Sequence, residues 1–160
     1  MNPAFAAVRA SYAAIAPRSD ELVKRFYENL FHARPEMRAL FPQDLKRQRE
    51  HVGAAIAVII RNLDSLDALE GTLMSLGARH VSYGVAPEHY PPVRDALVDA
   101  VSCMGLSMSA ELREAWLVVV NRVCATMLRG AAGAALAMAQ DMSPIRPSET
   151  TILGPPLHMT

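Results

Sequence analysis

Four side chains interrupt apolar helical stripes in this chain, and all four are of types that bind ligands or metals. His80 stands at the end of "LEGTLMSLGARH", closing a stripe through Leu66, Leu69, Leu73 and Leu76 at three- and four-residue steps. Tyr27 breaks the stripe of an earlier segment, Gln48 that of the next, and Tyr90 follows His80 by ten residues. A neutral imidazole can give one nitrogen to a metal while the other donates to an acceptor that fixes the ring. It is the usual axial donor to haem iron. A phenol and a carboxamide are the donors that would steady a partly negative ligand on the opposite side. Taken singly, each residue has a plainer and commoner reading: a satisfied core histidine, a core tyrosine, a glutamine at a wet helix edge, a tyrosine packed on a proline turn.

The elements that must position these groups are helical. "SDELVKRFYENLFHARP" opens on Ser19 as a capping residue, with acids in the first turn. It then places Leu22, Val23, Phe26, Tyr27, Leu30 and Phe31 on one face until Pro35. After the turn "PEMRALFP", a second helix from about Asp44 to Asn62 carries Leu45, Gln48, Val52, Ile56, Ile59 and Ile60. The stripe ending at His80 stops near Gly84 and Pro87. Val93, Leu97, Val101 and Met104 mark another helix. Leu112, Trp116, Val119, Val123 and Met127 mark a last one, opened by Ser109 and predicted to fray over the Ala/Gly-rich residues 130–142. No alternating strand pattern is found. The expectation is an all-α domain over residues 1–142, with periodicity leaving a bundle and the crossed-helix arrangement equally open. Residues 143–160, "SPIRPSETTILGPPLHMT", hold four prolines and read as a flexible tail.

Composition removes several function classes. With 160 residues, about half of them hydrophobic, the chain suits one domain. Sixteen basic side chains balance sixteen acidic ones, so the electrostatic footprint of a nucleic-acid or anionic-membrane binder is missing. The N-terminus lacks the basic flank of a signal peptide, and no uninterrupted apolar run approaches bilayer-spanning length. A cytoplasmic location is expected. Cys103 and Cys124 lie on apolar faces without metal spacing and are expected to be buried free thiols.

Together "FYENLF", "PEMRALFP", the Gln48-x-x-x-Val52 step, "RHVSYGVAPEHYPPV" and "ELREAW", in this order and spacing, resemble the bacterial single-domain globins and the globin half of the flavohaemoglobins. The likeness covers roughly residues 19 to 130. It implies a globin fold of six to eight helices enclosing haem b. By this resemblance His80 is the proximal iron ligand, Phe41 wedges against the haem, Tyr27 and Gln48 form the distal pair, and Val52 lines the distal wall. Phe26, Ile56, Val85 and Val93 supply further apolar wall. His51, or one of the neighbouring Lys46, Arg47 and Arg49, would pair with a haem propionate; the plainer reading is a solvated charged face. His32, His89 and His158 are expected at the surface.

The resemblance also has a gap. Flavohaemoglobins join the proximal histidine to a tyrosine and a glutamate; Tyr90 matches the tyrosine, but Ala131 stands in the glutamate's place and Val120 where a further tyrosine often follows the tryptophan. The electron push that such a carboxylate provides is therefore in doubt here, while a backbone carbonyl remains available to His80. The chain has no G-x-G-x-x-G segment, so any turnover would draw electrons from a separate flavin reductase. The implied ligands are dioxygen, nitric oxide and carbon monoxide, for oxygen binding and delivery or for nitric oxide dioxygenation. A haem-based gas sensor and a haem-free interaction module are the alternatives, and the oligomeric state is left open.

Overall fold

The computed structural model describes residues 2–141. The expected Pro-rich tail, with His158, lies outside them. Six α-helices make up the described chain: α1 (Pro3–Ile15), α2 (Ser19–Ala33), α3 (Lys46–Arg61), α4 (Glu70–Ser82), α5 (Tyr90–Ser102) and α6 (Ala110–Asp141). Short 3-10 segments over Ala16–Arg18, Pro35–Leu40, Leu63–Leu69 and Pro87–His89 join them. No strand occurs among the described residues.

Helix α1 precedes the stretch in which sequence patterning found its first helix. Its start is nonetheless written in "NP": the Asn2 side chain accepts from Ala4 N at 2.9 Å, and Pro3 occupies the first turn, where its missing N–H costs nothing. Phe5, Val8 and Ile15 are buried, and Ser11 Oγ accepts from Trp116 Nε1 at 3.0 Å while donating to Val8 O. That chain satisfies the indole N–H of α6 inside the core, where an unpaired donor would be costly.

Two capping expectations divide. Ser109 does cap α6, accepting from Leu112 N at 3.1 Å. Ser19 makes no such cap, because the 3-10 turn Ala16–Arg18 runs directly into α2 and the serine already has helical geometry. The second helix begins at Lys46, two residues later than expected, with Asp44 Oδ1 accepting from Lys46 N. The stripe from Leu66 to His80 divides into the 3-10 segment Leu63–Leu69 and α4.

The tightest contact is between α4 and α6. A methyl group on Gly77 would overlap the backbone of Met127, and one on Gly130 would overlap the backbone of Met74. The two glycines thus let the helices meet backbone to backbone. Over the described part of residues 130–142 this also corrects the expected fraying: α6 runs unbroken to Asp141, because alanines favour helix and Gly130 serves packing. By length and composition α6 is the one described helix apolar enough to cross a membrane, although no uninterrupted apolar run in it reaches bilayer-spanning length. In this fold Ala115, Trp116, Val119 and Val120 of α6 are buried in the core. Elsewhere α2 packs on α5 and α3, and α1 and α5 pack on α6, which produces the crossed arrangement.

Candidate haem site

His80 sits in the last turn of α4, and the end of that helix is closed by a backbone motif, with Ser82 Oγ also donating to Arg79 O at 2.6 Å. Val85 N donates to His80 O and Gly84 N to Val81 O, both at 3.1 Å, with Gly84 at φ +85°. This is the Schellman arrangement, and it requires a residue that tolerates the left-handed region. His80 Nδ1 lies 2.6 Å from Leu76 O, one turn back. A carbonyl can only accept, so in the neutral ring Nδ1 carries the proton and Nε2 keeps its lone pair. The Tyr83 ring meets the imidazole edge-on at 5.8 Å. The half-buried imidazole is therefore held in the tautomer a metal requires, with the acceptor from the main chain that the sequence left available.

Tyr27 on α2 is 3% exposed and sits among three phenyl rings: Phe26 at 4.9 Å, Phe41 edge-on at 5.4 Å and Phe31 stacked at 5.7 Å. Phe41 follows the 3-10 segment Pro35–Leu40. Its loop is tied by Arg38, whose guanidinium donates to the carbonyls of Phe41, Pro42 and Gln43 and lies over the Phe31 ring. The aromatic cage holds the phenol ring, and α3 supplies its polar neighbour, the Gln48 side chain. Burial pushes the Tyr27 phenol above its ordinary range, partly offset by Gln48 and the Arg49 charge. At neutral pH the hydroxyl is protonated and able to donate.

The expected wall residues separate into two groups. Phe26 and Ile56 are buried in the core itself, whereas Phe41, Val52 and Val93 are partly buried on its edge and Val85 is half-buried. His51 is exposed on α3, and so is His32 on α2. His89, expected at the surface, is instead half-buried, with Nδ1 accepting from Ala86 N at 2.9 Å to organise the turn before α5. Two surface clefts, about 390 and 350 Å³, lie elsewhere, the first against Arg122 and Arg129, the second against Asn29 and Pro91. Neither includes His80, Tyr27 or Gln48.

Tyr90, at the start of α5, is buried and its hydroxyl has no hydrogen-bond partner among the described residues. Ala131 can offer none, which agrees with the missing carboxylate. Burial first, and then the neighbouring Cys124, push the Tyr90 phenol up. The two thiols are free but not both buried: Cys103 is exposed because it caps the C-terminus of α5, and Cys124 is only partly covered. Burial pushes the Cys124 thiol up to about 11. At pH 8 roughly one Cys124 in a thousand is thiolate. Iodoacetamide followed by peptide mass spectrometry is therefore expected to label Cys103 well before Cys124.

The globin family model matches residues 24–127. The chain belongs to the globin family. This globin is 32% identical to a flavohemoprotein of Rhodopirellula baltica over 105 residues, which are 63% of this chain and 26% of that protein. It spans between a quarter and a third of the length of the first flavohemoproteins it matches. Among solved structures, an engineered carbene transferase from Rhodothermus marinus, described as a candidate nitric oxide dioxygenase, superposes with a TM-score of 0.78 at 26% identity. That match covers 87% of this chain and 98% of the other. A flavohemoglobin of Malassezia yamatoensis, with bound FAD and heme, shares the fold at a TM-score of 0.69 and 21% identity. There the match covers 83% of this globin and 37% of that chain. The all-α globin fold implied by the resemblance is thus the observed one.

The donor set fits a haem: a histidine with Nε2 available, a buried phenol paired with a carboxamide, and apolar side chains at the core edge. No group of three or more metal-ligating side chains occurs among the described residues. The single histidine suits an iron whose remaining equatorial donors come from a porphyrin.

Proposed function

We propose that this globin binds haem b through His80 and uses Tyr27 and Gln48 to hold a diatomic gas. The observation that carries the reading is the His80 Nδ1 contact with the Leu76 carbonyl, which in the neutral ring leaves the Nε2 lone pair for a metal. Haem supplies a ferrous iron able to take dioxygen, nitric oxide or carbon monoxide. The protein's part is to fix the imidazole, keep water away with Phe41, Val52, Val85 and Val93, and donate from the Tyr27 hydroxyl to the partly negative ligand. Gln48 keeps that hydroxyl aimed.

A hydrogen bond to a charged acceptor contributes about 1.5–3 kcal/mol, or roughly ten- to a hundredfold in affinity. Tyr27→Phe is accordingly expected to leave haem in place and raise the oxygen dissociation rate by about that factor in stopped-flow mixing. Carbon monoxide, which carries less negative charge, should respond much less. Equal responses of the two gases would contradict a donor role for Tyr27.

Reversible oxygen binding and delivery use these groups as they stand. Nitric oxide dioxygenation is the second reading, favoured by the likeness to the Rhodothermus marinus protein. Nitric oxide, dioxygen and one electron give nitrate, and the electron would come from a separate flavin reductase. Steady nitric oxide consumption in the presence of such a reductase, compared with free haem, separates the two. Tyr90 and Ala131 favour plain ligand binding, since the Tyr90 hydroxyl has no carboxylate partner among the described residues. A haem-free interaction module would follow if the purified protein were colourless with its helicity intact.

A further inference from the structure

Arg38 is half-buried in the 3-10 segment Pro35–Leu40, and the three side-chain hydrogen bonds it makes among the described residues all go to main-chain carbonyls. Nη1 donates to Phe41 O at 3.3 Å and to Pro42 O at 2.9 Å, and Nη2 donates to Gln43 O at 2.8 Å. Residues 41–45 form neither helix nor strand, and Pro42 has no N–H, so no regular ladder holds this stretch in place. The same guanidinium lies over the Phe31 ring of α2, 5.3 Å from its centroid. Phe31 stacks on Tyr27 at 5.7 Å and meets Phe41 edge-on at 5.5 Å, while Phe41 meets Tyr27 edge-on at 5.4 Å. The three rings close a triangle with the distal phenol at one corner. Arg38 grips the other two corners, through the face of Phe31 and the backbone of Phe41. The clasped carbonyls lead directly into α3, which begins at Lys46 and carries Gln48.

We propose that Arg38 is a positioning residue of the distal side: by clasping the carbonyls of residues 41–43 while resting on Phe31, it pins Phe41 against Tyr27 and fixes the direction of the phenol. The inference rests on the reading of Tyr27 as the group that donates to the bound gas. Arginine suits the task because its planar fork serves several carbonyls at once while its face rests on an aromatic ring. A lysine ammonium carries the same charge with neither the fork nor the flat face. Without the clasp the Phe41 edge leaves the phenol, water gains access to the Tyr27 ring, and the hydroxyl loses its fixed aim. Arg38 thereby acts through Phe41 and Phe31 rather than on the gas itself.

The test compares Arg38→Lys, which keeps the charge, with Arg38→Met, which keeps only the apolar stem. In the haem-free protein, nuclear Overhauser contacts between the Phe41 and Tyr27 rings report the triangle, with Tyr27→Phe and Phe41→Leu identifying the signals. The Trp116 indole N–H, bonded to Ser11 on the far side of the core, reports the rest of the fold. Both variants are expected to lose most of the Phe41–Tyr27 contact while the Trp116 signal stays in place. In the haem-loaded protein both should speed oxygen dissociation about three- to tenfold, less than Tyr27→Phe because the hydroxyl remains. On a Tyr27→Phe background Arg38→Met should add less than about twofold, since the group it aims is gone. A ring contact that persists in Arg38→Met, a contact fully kept in Arg38→Lys, or an undiminished effect on the Tyr27→Phe background overturns the proposal. So does a displaced Trp116 signal, which would make Arg38 a support of the whole core. Because the ring contact is read without haem, a chain that bound none would defeat the functional reading while the clasp was still decided.

Discussion

Haemin titrated into His80→Gly is expected to give no sharp one-to-one endpoint, with affinity reduced by at least about a hundredfold, the scale of losing a metal donor rather than its outer support. Added imidazole should restore much of the endpoint by occupying the space the side chain leaves. The size of the effect follows from how little the ring can move. Its Nδ1 is committed to Leu76 O at 2.6 Å, and the helix carrying it is closed by the Val85 and Gly84 amides. His89 is no substitute, since its Nδ1 accepts from the Ala86 amide, which in the neutral ring puts the proton on Nε2, and His32 and His51 are exposed. Glycine at the C-terminal turn of α4 costs about 1 kcal/mol of helix stability. Thermal melting without haem should therefore change only slightly, which separates loss of the ligand from loss of the fold.

Gly77→Ala and Gly130→Ala are each expected to destabilise the protein by about 2–4 kcal/mol in urea unfolding, toward the upper end of overpacking costs. The sign is the informative part. Glycine inside a helix is ordinarily about 1 kcal/mol worse than alanine, so a free site should gain from the exchange. Gly71 and Gly133 are such sites, with nothing near the position a methyl would take, and their alanine variants should be neutral or more stable. At Gly77 and Gly130 the obstacle is the opposing backbone, which can yield only by separating α4 from α6. Once the helices have separated, the second substitution meets less resistance, so the double variant should lose less than the sum of the two. Gly77 lies three residues before His80, and the same displacement should weaken haem binding. Stabilisation by either alanine would contradict the backbone contact.

The parts of this fold legible in the sequence are those written in periodicity. The stripes of α2, α3, α5 and the first half of α6 announce their buried faces, and His80, Tyr27 and Gln48 are visible because each breaks such a stripe. Helix α1 was obscured because its alanine-rich sequence has only a weak apolar face; its evidence is a cap, Asn2, and a distant partner, Trp116. Gly77 and Gly130 read locally as helix weakeners, and their purpose appears only when two segments fifty residues apart are brought together. Arg38 reads as one more charge in the turn "PEMRALFP", since its acceptors are main-chain carbonyls that no side-chain pattern records. Cys103 misled for a similar reason: an apolar neighbourhood in sequence ended at a helix terminus open to solvent. The Leu76 carbonyl could be anticipated as a class of acceptor, but its distance from the ring could not.

The most direct test is a crystal structure of the protein loaded with haem, with anomalous diffraction collected at the iron edge. One iron peak is expected within bonding distance of His80 Nε2, with the Tyr27 hydroxyl and Gln48 on the opposite side of the porphyrin. An iron held by a different side chain, or a porphyrin bound away from His80, Tyr27 and Gln48, would contradict the assignment.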